Sequence, residues 1–424
     1  MNGYRQTIDW LYRRRAELGM DFRLRRLEAV LGVLQHPEKA FRAIHVGGTN
    51  GKGSTCAFLH EIFTRAGYRV GLYTSPHLAS FRERIRVGRA RIAEQQVVAH
   101  NDSVRRAMDD VGVSLTFFEI ATVMAFLEFR RVGVDLAVVE VGLGGRLDAT
   151  NVVSPVVSAV TSIAHDHATY LGDTLTEIAG EKVGIARPGV PLITGPLPEE
   201  AEDAVAAAAR KLDVPRLRYG VDFGPLDRER ADDCVGLVGA HQQQNAAVAV
   251  ATVKAVAGIF PVTEDALRIG LRRARWPARF EIVARDPTTI VDSAHNPHAI
   301  AALLTAVDAF APERPLVSVF GVMADKNWRE MLARTLPAVD HAVFVPVAQK
   351  RSLSPDRLLE LAAGIKPART APGAMEGLAI ARAIAGRGGT VLVAGSIFLA
   401  AEIYKEASGR CDPFAEDRDA EAGV

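Results

Sequence analysis

Short apolar runs alternate along this chain with stretches of helical periodicity, and that alternation narrows the fold more than any other feature. Arg69 to Thr74 reads RVGLYT, Val134 to Gly142 VDLAVVEVG, Val156 to Ile163 VVSAVTSI and Val190 to Gly195 VPLITG. Continuous apolar runs of this length, flanked by glycine, proline and helix signals, suit strands buried on both faces in a parallel sheet. Trp276-Pro277 interrupts a helical pattern, and the alternation then restarts in TTIVDSAHNP, RPLVSVFGV, HAVFVPV and TVLVAGS. The expectation is an α/β chain of two doubly wound units. A parallel-sheet domain spans residues 1–275, a linker 276–280 and a smaller Rossmann-like domain 281–408, with an acidic tail at 409–424 expected to be flexible.

The chain has 424 residues, 48% of them hydrophobic, enough for two separate cores. Fifty-one basic and fifty acidic residues leave a formal net charge of +1, which gives no bulk attraction to nucleic acid or an anionic membrane. Cys56, Cys234 and Cys411 are widely spaced and form no Cys-x-x-Cys pair, so neither a disulfide framework nor a thiolate metal site is expected, and a reducing cytoplasm fits. The first residues, MNGYRQTIDWLYRRR, carry charge where a signal peptide needs an apolar core. No later run approaches the ~20 apolar residues of a membrane span.

One loop invites a ligand. HVGGTNGKGST, His45 to Thr55, places four glycines around Lys52, after an apolar-tending run and before the helical pattern STCAFLHEIFTRAG. Glycines let a backbone approach a phosphate and aim N–H groups at it, while the helix that follows presents its positive end. The stretch departs twice from Gly-x-x-x-x-Gly-Lys-Ser/Thr: Val46 holds the first glycine position, and Gly53 separates Lys52 from Ser54. A glycine-rich turn with an incidental lysine is the bland alternative, and the strand-to-helix context favours the phosphate.

Ligands in open parallel sheets bind beyond the carboxyl ends of strands, where polar residues from separate runs converge. Ser75 follows GLYT, Glu140 ends DLAVV, and His165, Asp166 and His167 follow AVTSIA. Oxygen-rich ligands around phosphates suit Mg²⁺ more than zinc. Each residue has a plainer reading as a strand end, a turn or a polar loop, and the Glu181-Lys182 pair one as surface charges beside a turn after a helix. In the second domain Asp292, His295 and Asn296 crowd the turn after TTIV.

Taken together, GTNGKGS, TSPHL, ERIRV, FFEIAT, EVGLGGRLDATN, DHATYLG, GEKVGIA, GAHQQQNAA, DSAHNP, FGVMADK and AGS resemble, in order, the folylpolyglutamate synthase and dihydrofolate synthase branch of the Mur ligases. The matches span residues 48 to 396. The resemblance implies a P-loop ATPase-type first domain, a smaller domain that closes over it, and ATP-dependent ligation of L-glutamate to dihydropteroate or a reduced folate by a monomeric enzyme. By that likeness Thr49, Asn50, Gly51, Lys52, Gly53 and Ser54 cradle the phosphates, and Ser75, Glu140 and His167 hold Mg²⁺, with a second ion supported by a carbamylated Lys182. Asn245, Arg279 and Asp292 match nucleotide contacts. The pterin side would meet Thr116, Phe117 and Phe118 and Leu147, Asp148, Ala149 and Thr150, with Arg82 and Arg84 in a neighbouring mobile loop.

Three positions depart from the family pattern. WPAR stands where Trp-Pro-Gly-Arg is expected, so the backbone before Arg279 is expected to be less free to adopt positive φ. DKN replaces Asp-Lys-Asp, which puts a role for Asn327 in doubt, and His165 stands where an apolar residue is commoner. The implied chemistry is activation of a carboxylate as an acyl phosphate followed by attack of the glutamate amine, with Lys52, Lys182 and His295 as catalytic candidates. For His295, phosphate binding, substrate orientation and proton acceptance all stay open. Competing readings are a ligase of the same chemistry on another carboxylate, a nucleotide-hydrolysing switch, and a silent nucleotide-binding scaffold; no Asn-Lys-x-Asp for guanine is present.

Overall fold

The computed structural model describes residues 2–18, 24–226 and 235–407. The tail 409–424, Cys234 and Cys411 lie outside the described residues. The chain divides into two compact units, Met1–Gly236 with Gln242–Ala274, and Leu237–His241 with Arg275–Val424. Both are α/β, and no helix among the described residues is long and apolar enough to cross a membrane.

The first unit holds eight strands: β1 (Arg42–Gly47), β2 (Val70–Tyr73), β3 (Ile85–Val87), β4 (Ala90–Arg91), β5 (Leu136–Glu140), β6 (Pro155–Val160), β7 (Leu192–Thr194) and β8 (Arg216–Arg218). Their order is β4-β3-β2-β5-β1-β6-β7-β8. Pairing is parallel from β2 to β8 and antiparallel at β2/β3 and β3/β4. The four apolar runs of the sequence became β2, β5, β6 and β7, whose side chains are almost all buried. The strands at the two edges are short and arginine-bearing, which keeps an open sheet edge from pairing with another chain.

Strand β1 lies between β5 and β6, so the chain leaves it toward one side of the sheet and later fills the other. Such a reversal opens a crevice at the carboxyl ends of the central strands. The helices Asn2–Leu18, Leu24–Val33, Glu94–Val111 and Phe117–Val132 bury Leu11, Leu27, Val97 and Phe126 against Ala43, Tyr73, Ala137 and Val139 of the sheet. A second cluster packs Ile178 and Val205, from the helices Leu175–Val183 and Glu199–Lys211, on Val160 and Leu192.

The second unit contains β9 (Glu281–Ala284), β10 (Thr288–Val291), β11 (Leu316–Phe320), β12 (His341–Phe344), β13 (Ala368–Thr370) and β14 (Thr390–Ala394), ordered β13-β12-β11-β14-β10-β9. Only β9 runs antiparallel to its neighbour. Its core gathers Ile290, Phe320, Leu392 and Phe344 from strands with Leu303, Met331 and Leu358 from helices.

The helix that leaves the glycine loop, Lys52–Arg65, is clamped by the helix Glu264–Arg273 at a contact with no room for a methyl group. A Cβ on Gly270 would stand 2.6 Å from Ile62 Cα and 2.8 Å from Ile62 N, both backbone atoms. Gly270→Ala should therefore lower the unfolding free energy by about 1–3 kcal/mol, the usual cost of overpacking a rigid contact. Urea denaturation checks this; an unchanged midpoint would show that the two helices separate without cost.

Candidate active site

The loop after β1 owes its shape to two glycines. Gly48 has φ of +134°, and a Cβ there would fall 2.2 Å from Thr161 Oγ1. Gly51 has φ of +87°, and a Cβ there would fall 2.2 Å from Asn245 Oδ1. Both the backbone angle and the space forbid a side chain. The turn is stitched to the segment after β6: the Thr49 N–H donates to Ser162 O at 2.7 Å, and Thr49 Oγ1 donates to Ala164 O at 3.2 Å while accepting the Ala164 N–H at 3.1 Å. The Asn50 N–H donates to Ser162 Oγ at 3.0 Å, and Thr161 Oγ1 donates to Asn50 O at 2.6 Å.

Helix Lys52–Arg65 starts directly from this turn, and no side chain caps it. Its first N–H groups have no carbonyl of their own helix to meet, which together with the helix dipole makes an anion site. The Lys52 ammonium folds back onto the turn, donating to Gly48 O and Thr49 O, each at 3.0 Å. Lys182, on the helix Leu175–Val183, donates to the same Gly48 O at 3.0 Å. The plain reading of Lys182 as half of a surface ion pair beside a turn fails: it is 3% exposed and inside the helix, whereas Glu181 pairs with Arg146 at 2.7 Å. Burial, and then the like charge of Lys52, pull the Lys182 pKa down to about 7 against the opposing pull of Asp166 and Asp148.

Glu140 ends β5 opposite Val46 of β1 and is 4% exposed. The Ser75 N–H, just past β2, donates to its Oε2 at 2.9 Å. His167 stands in the segment after β6 that Thr49 grips, with φ of +55° and its N–H on Asp166 Oδ1 at 2.9 Å. Adjacent strands thus bring Ser75, Glu140, the glycine loop and the His167 segment to one edge of the sheet. Among the described residues, no group of three or more His, Cys, Asp or Glu is assembled to hold a metal by itself. A buried carboxylate with a serine beside a glycine turn of this shape fits Mg²⁺, which takes oxygen ligands and shares its shell with phosphates and water.

On the other side of β5, Thr116 caps the helix Phe117–Val132 in a reciprocal arrangement with Glu119. Phe118 packs against Gly142 so closely that a Cβ there would meet its Cζ at 2.4 Å. Phe117 stacks on Tyr12 with centroids 5.7 Å apart and lies 5.1 Å from the Arg84 guanidinium. Arg82 and Arg84 stand in a capped 3₁₀ turn, Phe81–Arg84, fixed because Glu83 accepts the N–H groups of Leu78, Ala79 and Ser80. The two arginines diverge: Arg84 is 4% exposed and donates to His77 Nδ1 at 2.7 Å, whereas Arg82 donates to Ile92 O at 2.6 Å and pairs with Glu94. Leu147 is half-buried, and Asp148, Ala149 and Thr150 are buried. Asp148 caps a short 3₁₀ turn and accepts the Leu143 N–H at 2.9 Å. Tyr12 and Phe81 were not signalled by any sequence pattern, and His77, within TSPHL, was given no role.

In the second unit, Asp292 accepts the N–H groups of Phe280 and Ala294, each at 2.8 Å. The expected loss of backbone freedom before Arg279 does not occur: Ala278 has φ of +54° and Phe280 +46°. Ala278 is held there by its N–H on Glu281 Oε2 at 2.9 Å and by its carbonyl, which accepts from Ser293 N and Oγ at 3.0 and 3.1 Å. Positive φ on alanine and phenylalanine is strained, and such strain concentrates where a side chain must be aimed; here it flanks Arg279. His295 Nδ1 donates to Ser293 O at 2.9 Å. Asn327 Nδ2 donates to Glu330 at 2.7 Å. His241, which sequence reasoning passed over, lies within electrostatic reach of Asp292, Arg279 and His298, and burial lowers its pKa first of all.

Comparison with known proteins places these residues in context. The Mur ligase middle domain matches residues 46–191, and the glutamate ligase domain of Mur ligases matches residues 278–397. The dihydrofolate synthase/folylpolyglutamate synthase of Bacillus subtilis is 37% identical over 364 residues, covering 80% of this chain and 84% of that protein. The structure of E. coli FolC in complex with DHPP and ADP superposes with a TM-score of 0.88 at 33% identity, covering 96% of this chain and 98% of the other. That of the Yersinia pestis bifunctional folylpolyglutamate synthase/dihydrofolate synthase with AMPPNP and a Mn ion gives 0.85 at 31%, covering 94% and 97%.

The convergence of two ammonium groups on one carbonyl generates a titration. In bicarbonate-free buffer, acylation of Lys182, followed by peptide mass spectrometry, should rise with pH about a midpoint near 7. Removing the neighbouring like charge with Lys52→Gln should move that midpoint upward. A midpoint at the ordinary lysine value in the unaltered protein would show that the two side chains do not share the site.

Proposed function

We propose, from the premise that this chain belongs to the folylpolyglutamate synthase and dihydrofolate synthase branch of the Mur ligases, that it is an ATP-dependent ligase joining L-glutamate to dihydropteroate or a folyl glutamate. The observation that carries the reading is the uncapped helix start at Gly51, with Lys52 and Lys182 on Gly48 O and the buried Glu140 carboxylate one strand away. A carboxylate is a poor acyl donor, because it is already negative and its oxygen leaves badly. Phosphoryl transfer from ATP converts that oxygen into a leaving group, and the glutamate amine displaces phosphate.

The N–H groups of Thr49 to Ser54 and the helix end meet the phosphates, and Lys52 turns from the loop carbonyls to offset charge on the transferring oxygens. Mg²⁺, which Ser75, Glu140 and His167 would hold together with phosphate oxygens, supplies further neutralisation when bound. Asn245 against Gly51, and Arg279 and Asp292 of the second unit, are assigned to the nucleotide. Thr116 to Phe118, Leu147 to Thr150 and Arg84 are assigned to the pterin acid. Arg82 is the weakest of that set, because its guanidinium is committed to Ile92 O and Glu94. His295, held through Nδ1 on Ser293 O, stays the catalytic candidate of the second unit, for phosphate binding, substrate orientation or proton acceptance.

A lysine whose pKa is about 7 is largely a neutral amine at slightly alkaline pH. Lys182 is therefore suited to carbamylation: its nitrogen adds to CO₂, a proton is released, and an anionic carbamate able to support a second ion replaces the ammonium. The protein is proposed to act as a monomer in the cytoplasm.

Phosphate release, measured with ATP, Mg²⁺ and glutamate, should depend on dihydropteroate or tetrahydrofolate and not on a muramyl precursor. Comparing the two pterin acids distinguishes first glutamylation from chain extension. Lys52→Ala should lower kcat by about 10²–10³-fold or more with the fold intact; near-normal turnover in that variant, or release driven by the muramyl acid, contradicts the assignment.

A further inference from the structure

We propose that His45 is a positioning residue for the ligation, holding Asp148 and the turn 142–150 in place through the hydroxyl of Thr150. The proposal rests on the assignment of residues 147–150 to the pterin acid. His45 lies inside β1, two residues before Gly47, and Thr150 follows the loop after β5, so the chain of bonds ties the acid-side turn to the strand that feeds the phosphate loop.

The bonds fix their own direction. Thr150 Oγ1 donates to Asp148 Oδ1 at 2.5 Å, and the Thr150 N–H donates to the same oxygen at 2.9 Å. A hydroxyl has one proton. With it committed to Asp148, Thr150 Oγ1 can only accept from His45 Nε2, which stands 2.8 Å away. His45 must then carry its proton on Nε2, leaving Nδ1 bare, and Nδ1 is indeed a buried atom with no hydrogen-bond partner. His45 and Thr150 are both 0% exposed, and Asp148 is 4% exposed.

The tautomer is stable. Burial, and then the charge of Arg187, lower the His45 pKa to about 3, so the ring stays neutral through the working range. An orphaned ring nitrogen in a strand interior is a cost that an apolar side chain would avoid. What the imidazole contributes there is one N–H, delivered to the hydroxyl that holds Asp148.

The test compares His45→Leu and Thr150→Val, which delete the donor and the hydroxyl at similar volume, with His45→Gln, which retains a donor. The two deleting variants should raise KM for the pterin acid about tenfold, as expected for losing one buried hydrogen bond of the chain that holds Asp148. KM for ATP should stay within about twofold. His45→Gln should stay near the unaltered protein, and the double variant His45→Leu/Thr150→Val should be no worse than either single one, since both break one chain. Joint rises in both KM values, an unchanged pterin KM, or additive losses overturn the proposal. Should both deleting variants fail to fold, the ring ¹⁵N resonances of the unaltered protein decide: an Nε2–H signal of His45 that shifts with the pterin acid but not with ADP supports it, and an Nδ1–H signal or indifference to the acid overturns it. Failure of the functional assignment looks different, since the unaltered protein would then release no phosphate with any pterin acid.

Discussion

Two lysine ammonium groups on the carbonyl of Gly48 are the interaction on which the rest of this structure turns. Two cations near one another in a buried place repel, and the protein meets that cost with a carbonyl oxygen, the nearby carboxylates of Asp166 and Asp148, and a depressed Lys182 pKa. An arrangement so rich in positive charge and helix-end N–H groups suits an anion. The proposed function assigns a triphosphate to it. The backbone that makes the turn possible requires glycine at positions 48 and 51, since both adopt positive φ and both abut neighbouring side chains.

The sheet converts this local chemistry into a site. Because β1 is flanked by β5 and β6, Glu140 falls on one side of the glycine loop and the Ser162 to His167 segment on the other. Ser75 joins through its bond to Glu140, and Asn245 through its contact with Gly51. The second unit shows a comparable economy around Arg279, where Asp292, Ser293 and Glu281 together hold two non-glycine residues at positive φ. Strain at such a point is sustained by several hydrogen bonds that would all have to break at once.

Much of the fold was legible because buried parallel strands announce themselves as apolar runs: RVGLYT, VDLAVVEVG and VVSAVTSI became β2, β5 and β6. The edge strands β8 and β13 were not, since RLR and ART carry no apolar run and exist only by pairing with a neighbour. Glycine spacing exposed the loop after β1. Nothing in the sequence brings Tyr12 to His77 and Phe117, because those contacts cross many residues of chain. Ala278 was misjudged for a related reason. Local propensity reserves positive φ for glycine, and the bonds from Ser293 and Glu281 that override it come from tertiary structure.

The central claim is that an acid is energised at this turn before an amine reaches it. Ligation with a pterin acid carrying ¹⁸O in its carboxylate, followed by mass analysis of the released phosphate, tests it most directly. The account predicts that each phosphate carries one labelled oxygen taken from the acid. Phosphate without label, in a reaction that still forms the amide, would contradict it.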